Sequence, residues 1–305
     1  VLVRATIARG TLDSVDAASV EKMPGVRKVM YGDKFLRNPA QGTANEAPVQ
    51  GSKEIYYIGQ PVALVVADTF EQARHGAQSL DLKMTAKTAV TDPDAEGASV
   101  ETPKGKQSSM GDLDAAMQDA AFTVEETYTT PGHTSAPMEP HTAIAWWEDD
   151  KLMLRATSQM LKYNVNEIAD SVGIAPEAVH LMAPYVGGGF GSKLGISPDA
   201  VAAALASREL GVPVSVAMSR QQVMESTMRR SETVQHFRLA ADKDGKLTGI
   251  GHRARVSQLP DESFAEPVTQ ATPFLYRGEN REIGMEIVRV NSTCAGSVRA
   301  PGEAV

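Results

Sequence analysis

Tyr57-Ile-Gly-Gln-Pro-Val-Ala-Leu-Val-Val-Ala67 is a mostly apolar run, followed at once by Asp68-Thr-Phe-Glu-Gln72. A short Val-rich segment bounded by Gly and polar residues predicts a buried strand. Thr69 and Gln72 have the spacing of a capping box, in which each side chain satisfies a backbone N–H at the start of a helix, so a helix is predicted there. Phe70, Ala73, Ala77 and Leu80 repeat at helical spacing, and Leu82-Lys-Met84 begins a returning strand. Strand, helix and strand in succession predict a β-α-β unit and a mixed α+β fold class, with this first domain closing near Lys87.

Working outward, 16–23 reads as a short helix stopped by Pro24-Gly25, after which Val26, Val29 and Met30 resume the apolar pattern. Residues 31–54 are polar and rich in Gly and Pro, which predicts a long loop. Residues 88–131 hold many Asp, Glu, Ser, Pro and Lys, and read as a surface connection with one helix over 112–120. A mixed second domain is predicted from 132 to 305. It starts with a hairpin turning at Glu148-Asp-Asp150 and a helix carried by Leu161, Val165, Ile168 and Val172 and ended by Gly173. A strand over 178–183, a helix opened by Ser197-Pro198 and ended by Gly211, and a strand over 214–218 follow. A second capping box at Ser219 to Gln222 and a hairpin around Asp242-Lys-Asp-Gly245 complete the pattern.

Composition fits an ordinary globular chain: 305 residues, 42% hydrophobic and 22% charged, with 25 Gly and 17 Pro, which excludes collagen, coiled coil and wholesale disorder. A net charge of -8 argues against a general grip on nucleic acid or anionic membrane. The apolar runs fall short of the ~20 residues that span a bilayer. Cys294 is the single cysteine, so the chain makes no internal disulfide and no four-cysteine zinc or iron–sulfur site. The opening Val1-Leu-Val-Arg-Ala-Thr-Ile7 reads as the inside of a strand and the closing Ser297-Val-Arg-Ala-Pro-Gly-Glu-Ala-Val305 as a turn, so both ends are expected to be interrupted.

Val186-Gly-Gly-Gly-Phe-Gly-Ser-Lys193 is the most unusual motif. Successive glycines let a bound group approach the backbone, and consecutive N–H groups form an anion-binding nest. A P-loop requires Gly-Lys-Ser/Thr, and a dinucleotide fingerprint requires a small residue and a later acid; neither is met. The loop thus reads either as a tight turn or as a ligand cradle. His133, Glu139 and His141 offer two imidazoles and a carboxylate without a zinc spacing, so they read as structural residues, with a metal hydrolase as the alternative. Ser192 lacks the Gly-x-Ser-x-Gly frame of a nucleophile. Gln159 stands where a strand hands over to a helix, and Arg299 among turn residues; each is either a surface group or a ligand contact.

Taken together, these segments resemble the molybdenum-cofactor subunit of the xanthine dehydrogenase and aldehyde oxidase family. Residues 1–87 resemble its hammerhead α/β domain through Leu2-Val-Arg4, Met23-Pro-Gly-Val26 and the 57–67 strand. Gly111-Asp-Leu-Asp-Ala-Ala116, Met138-Glu-Pro-His141, Thr157-Ser-Gln159, Gly187-Gly-Gly-Phe-Gly191 and Val298-Arg-Ala-Pro-Gly-Glu303 resemble successive landmarks of its first molybdenum-binding domain. With 88–131 as linker, 132–305 is then the first part of that domain. The Ser192-Lys-Leu194 and Arg-Ala-Pro-Gly-Glu stretches most resemble the bacterial periplasmic aldehyde oxidase type.

The resemblance implies a set of roles. Gln159 corresponds to the glutamine whose amide hydrogen-bonds an oxygen on molybdenum; Gly188, Gly189 and Gly191 lend backbone approach, and Phe190 stands beside substrate. Arg299 corresponds to the arginine near substrate and metal ligands, and Arg229 and Arg230 fall where some members orient substrate. The reaction implied is oxidation of aldehydes or aromatic heterocycles with water as oxygen source, electrons leaving through 2Fe-2S clusters and FAD on partner subunits. The cofactor implied is molybdopterin, the cytosine dinucleotide form being one option. The family's general-base glutamate has no match here, Glu303 included, so it is expected beyond Val305 and the chain by itself is expected to be inactive. Purine oxidisers carry a glutamate after the loop lysine; Leu194 in that place favours aldehydes or small heterocycles over xanthine. The competing reading is a cofactor-free binding or assembly module of the same fold. A soluble chain is expected in either case, cytoplasmic, or periplasmic if co-exported with a partner.

Overall fold

The computed structural model describes residues 1–32 and 53–303, so most of the loop expected over 31–54 lies outside the described residues. The chain forms two compact units, each assembled from separate stretches: Val1–Ala89, Thr134–Arg229 and Asn291–Val298 make one, and Val90–His133, Arg230–Val290 and Arg299–Val305 the other.

In the first unit the strand Pro61–Ala67 and the helix Phe70–Ser79 form where the sequence predicts them, with both hydrogen bonds of the Thr69/Gln72 capping box in place. The expected β-α-β unit does not form. Pro61–Ala67 pairs antiparallel with Leu2–Arg4 and Val26–Tyr31, whereas Leu82–Ala86 joins a different three-stranded sheet with Gly10–Val15 and Glu54–Ile55. Periodicity identifies strands, but their partners here are distant in sequence, which local pattern does not encode.

A four-stranded sheet completes this unit, in the order Val179–Met182, Lys151–Ala156, Thr142–Glu148, Val214–Ala217. The predicted hairpin is present, with Ala143 opposite Ala156 and Glu148 opposite Lys151. Lys151–Ala156 and Val179–Met182 are parallel, with Arg155 beside Met182. The helix between them, Leu161–Val172, ends on Gly173 in the left-handed conformation at φ 72°. Parallel strands end on the same edge of the sheet, so the residues after Ala156 and after Met182 emerge together. The helix Pro198–Leu210 packs on the sheet with Ala200, Val201, Ala202, Ala203, Ala204 and Ala206 all buried. Such short side chains permit a close approach of helix and sheet.

The second unit is built on a six-stranded sheet. Ser99–Glu101, Asn280–Arg289, Leu247–Gln258, Thr233–Ala241 and Phe122–Thr130 lie in that order, and Ser108–Met110 also pairs with Asn280–Arg289. The predicted hairpin around Asp242–Gly245 is its centre. The stretch 88–131, expected as a surface connection, holds the predicted helix as Leu113–Asp119 and supplies three strands to this sheet as well. Phe122–Thr130 is exposed along nearly its whole length and reads as polar because it is an edge strand. Among the described residues no helix is long and apolar enough to cross a membrane.

Candidate functional site

The parallel strand pair sets up the site. Gln159 lies three residues beyond Lys151–Ala156, and the loop 183–193 follows Val179–Met182. Gln159 N–H donates to the Lys193 carbonyl at 2.8 Å. Its side-chain Oε1 accepts from Gly191 N–H at 3.1 Å and Lys193 N–H at 3.2 Å. Both neighbours are donors, so the amide oxygen must face them and the amide NH₂ faces away from the loop. Gln159 is itself exposed.

Glycine is required at particular places in this loop. Gly188 and Gly191 have φ of 93° and 102°, and a Cβ on Gly191 would run into the Ser297 carbonyl. A Cβ on Gly189 would collide with the Gln159 amide. Phe190 is held at φ 51°, an uncommon conformation for an aromatic residue, with its side chain about half exposed. Among the described residues the N–H groups of Gly188, Gly189 and Phe190 have no hydrogen-bond acceptor, although Gly189 is buried. Three consecutive free donors beside an outward amide make a surface for an oxygen-rich, electron-rich group.

Behind the loop lies a charged layer. Lys193 is wholly buried; its Nζ donates to the Glu139 carbonyl at 3.0 Å and to Glu139 Oε2 at 2.8 Å, and Gly187 N–H donates to that same oxygen at 2.7 Å. Burial opposes charge on Glu139, but the bonds from Lys193 and Gly187 prevail and its pKa lies below the usual carboxylate range. His141 is buried and Nε2 meets the Ser192 carbonyl at 2.9 Å; burial, aided by the charge of Lys193, lowers its pKa to about 4. The ring is therefore neutral, carries its proton on Nε2 and leaves Nδ1 without a partner. Ser158, Asn164 and Glu167 form a second buried network: Ser158 Oγ donates to Asn164 Oδ1 at 2.5 Å, and Asn164 Nδ2 donates to Glu167 Oε2 at 2.6 Å and the Leu194 carbonyl at 2.7 Å. Ile196 N–H also reaches Glu167 Oε2, at 2.8 Å, yet burial raises this carboxyl's pKa to about 7.

The other candidates resolve in different ways. The zinc alternative finds no support. Glu139 is committed to Lys193 and Gly187, His141 to a carbonyl, and no three metal-binding side chains are grouped among the described residues. Ser192 Oγ is buried and donates to the Gly189 carbonyl. Arg229 is buried, with Nε on the Thr293 carbonyl. Arg230, expected as a substrate contact, belongs to the second unit and is 4% exposed. Its guanidinium is committed to Glu266 Oε1 at 2.9 Å and to the carbonyls of Arg299 and Ala300. It supports the turn that carries Arg299 and does not present itself to a ligand. Gly302 N–H donates to the same Glu266 oxygen at 2.8 Å, and Ala300 is held at φ 54°. Arg299, on this clamped turn, is exposed.

The sequence pointed to Gln159 and the glycines as candidates but gave no role to Lys193, Glu266, Asn164 and Glu167, and Glu139 entered it as a zinc candidate and within the Met138–His141 landmark. A signal existed for Lys193, a lone charge closing a run of glycines; Glu266 lies in no motif.

The family described as "Aldehyde oxidase and xanthine dehydrogenase, a/b hammerhead domain" matches residues 1–87, and "Molybdopterin cofactor-binding domain" matches residues 95–305. The aldehyde oxidoreductase molybdenum-binding subunit PaoC of Escherichia coli O157:H7 is 35% identical over 305 residues, covering 99% of this chain and 41% of that protein. The 6-hydroxypseudooxynicotine dehydrogenase complex subunit gamma of Paenarthrobacter nicotinovorans is 29% identical over 331 residues, with 99% and 41% covered. Quinoline 2-oxidoreductase from Pseudomonas putida 86 superposes with a TM-score of 0.86 at 23% identity, over 99% of this chain and 42% of that one, which shows a shared fold. The chain spans about two-fifths of the length of these curated relatives. With two family domains in consecutive order over almost all of its residues, the chain belongs to the aldehyde oxidase and xanthine dehydrogenase family of molybdenum oxidoreductases.

Proposed function

We propose that this chain is part of a molybdenum hydroxylase that oxidises aldehydes or small aromatic heterocycles, and that the Gln159 and 187–193 surface holds the molybdenum cofactor. The observation that carries the reading is the row of free N–H groups on Gly188, Gly189 and Phe190 next to the outward amide of Gln159. The unpartnered N–H groups and the amide are donors, which fits an anionic pterin phosphate or the oxygens of a metal centre that brings its own chelating ligands. When bound, the cofactor supplies the two-electron redox chemistry. Gln159 and the loop N–H groups bind and orient it, and Phe190 offers an exposed apolar face to the substrate. Arg299, on its clamped turn, is assigned to the substrate or an anionic ligand. Leu194 gives the loop no hydrogen-bonding group for a purine, which supports the aldehyde or small-heterocycle assignment. The base is assigned to a glutamate outside these residues, and electron transfer to iron–sulfur and FAD subunits. Two relatives are a molybdenum-binding subunit and a complex subunit gamma, which supports a chain that works within a complex. Molybdopterin is the proposed cofactor, with its cytosine dinucleotide form as a finer option.

The test uses the full-length subunit purified with its partners. Metal analysis is expected to find molybdenum in stoichiometric amount, and Gln159→Ala is expected to slow aldehyde oxidation about a hundredfold, the usual cost of one lost oxyanion donor. Turnover at an unchanged rate by complex free of molybdenum defeats the proposal. Partner subunits that co-purify without metal or turnover would instead identify an assembly module.

A further inference from the structure

Lys193 is charged, entirely enclosed and given no task by the function proposed above. Its amine and Gly187 N–H share one oxygen of Glu139, so a single carboxylate binds the start of the glycine loop and the side chain rooted at its end. Glu139 N–H also donates to the Gly187 carbonyl at 3.2 Å. The Lys193 main chain in turn grips Gln159 twice, its carbonyl accepting from Gln159 N–H and its own N–H donating to Gln159 Oε1. The charged and titratable groups facing this amine are Glu139, His141 and Asp199, the last from the helix Pro198–Leu210.

We propose that Glu139 and Lys193 are a positioning pair that sets the direction in which Gln159 presents its amide donor. The ion pair fixes where the N–H groups of Gly191 and Lys193 stand, and these two groups hold the amide oxygen. Neither Glu139 nor Lys193 touches the ligand surface; both act through Gln159. The inference rests on the reading that Gln159 serves the molybdenum cofactor.

Glu139→Gln keeps an acceptor for Gly187 and removes the charge; Lys193→Met keeps much of the volume and removes the amine. Each is made in the full-length subunit within its complex, alone and combined with Gln159→Ala. Molybdenum content, the electron paramagnetic resonance signal of the reduced metal, and kcat and KM per molybdenum are measured. Glu139→Gln is expected to shift the resonance signal and lower kcat about tenfold with little change in KM, the scale of a lost supporting bond behind a metal site. Lys193→Met should do more. In the Gln159→Ala background both substitutions should lose their effect, because the residue through which they act is gone. The same fold-loss with and without Gln159, or an unchanged signal in Glu139→Gln, overturns the pairing. Should Lys193→Met fail to accumulate as folded protein, Glu139→Gln decides alone. If Gln159→Ala itself changes neither metal content, signal nor rate, the cofactor reading and this inference fall together; additive losses with Gln159 still essential sink this inference only.

Discussion

Two loops in different units are held by the same kind of device. In the first unit Lys193 and Glu139 clip the 187–193 loop; in the second Arg230 and Glu266 clip the 299–302 turn. Each carboxylate shares one oxygen between a basic side chain and a loop N–H, Gly187 in one case and Gly302 in the other. Each loop also contains a non-glycine residue at positive φ, Phe190 or Ala300. The difference lies in solvent. Glu139 is 31% exposed on its side chain, whereas Glu266 is 0% exposed, with its second oxygen buried and unpartnered. Water reaches the carboxylate of the first clip but not that of the second, while the basic partner is buried in both. Similar geometry therefore differs in how far its carboxylate is cut off from water, and a strained backbone conformation needs such a clip because it costs about 1–2 kcal/mol that local sequence does not return.

The sharpest way to break the comparison is to remove one partner of the enclosed pair. Glu266→Ala leaves Arg230 buried without its counter-charge and is expected to cost about 3–5 kcal/mol, measured as a lower denaturant midpoint. A cost no larger than that of Glu139→Ala removes the distinction between the clips.

Acid provides the next test, since the first clip has a buried imidazole behind it. His141 has a folded pKa of about 4, below its ordinary 6.5, so its contribution is fully present above pH 6.5 and is lost as pH falls toward 4. The loss is about 3 kcal/mol over that window, and His141→Gln should flatten the slope in a stability-against-pH series. Glu167 acts in the opposite sense. Its folded pKa of about 7 lies above the ordinary 4.5, so its contribution is present below pH 4.5 and is lost as pH rises through 7. Glu167→Gln should therefore gain relative to the parent as the medium becomes neutral.

The smallest effect separates closed loop glycines from open ones. A Cβ on Gly191 or Gly302 would strike a carbonyl, of Ser297 or Pro267 respectively. Gly211 ends a helix at φ 65° with open space around it. Gly211→Ala should cost about 1 kcal/mol. Gly191→Ala and Gly302→Ala should each cost at least about 2 kcal/mol, read from thermal unfolding, because strain and collision combine.

Much of this was legible from the residues. Capping boxes at Thr69 and Ser219, the helix stops at Gly173 and Gly211 and the Asp242 turn are local chemistry, and all appear where expected. The partners of Pro61–Ala67 and the strand character of Phe122–Thr130 were not legible, because both depend on neighbours far away in the chain. The candidate site divides the same way. Its glycines and Gln159 sit in motifs, but Glu266 became visible only once Arg230 and the 299–302 turn were brought to it across 36 residues.

Gln159 has a consequence beyond orientation. An ordinary surface glutamine can flip its amide and satisfy whichever partner arrives, so it carries no information about protonation. Here two backbone donors hold the oxygen, and a flipped amide would set N–H against N–H. The side chain thus recognises a lone pair and rejects a proton. A bound group that deprotonates gains this contact, and one that takes up a proton at the facing atom loses it. Gln159 has no charge of its own to titrate, yet in the proposed role it would make the affinity of this surface depend on the acidity of the group bound there.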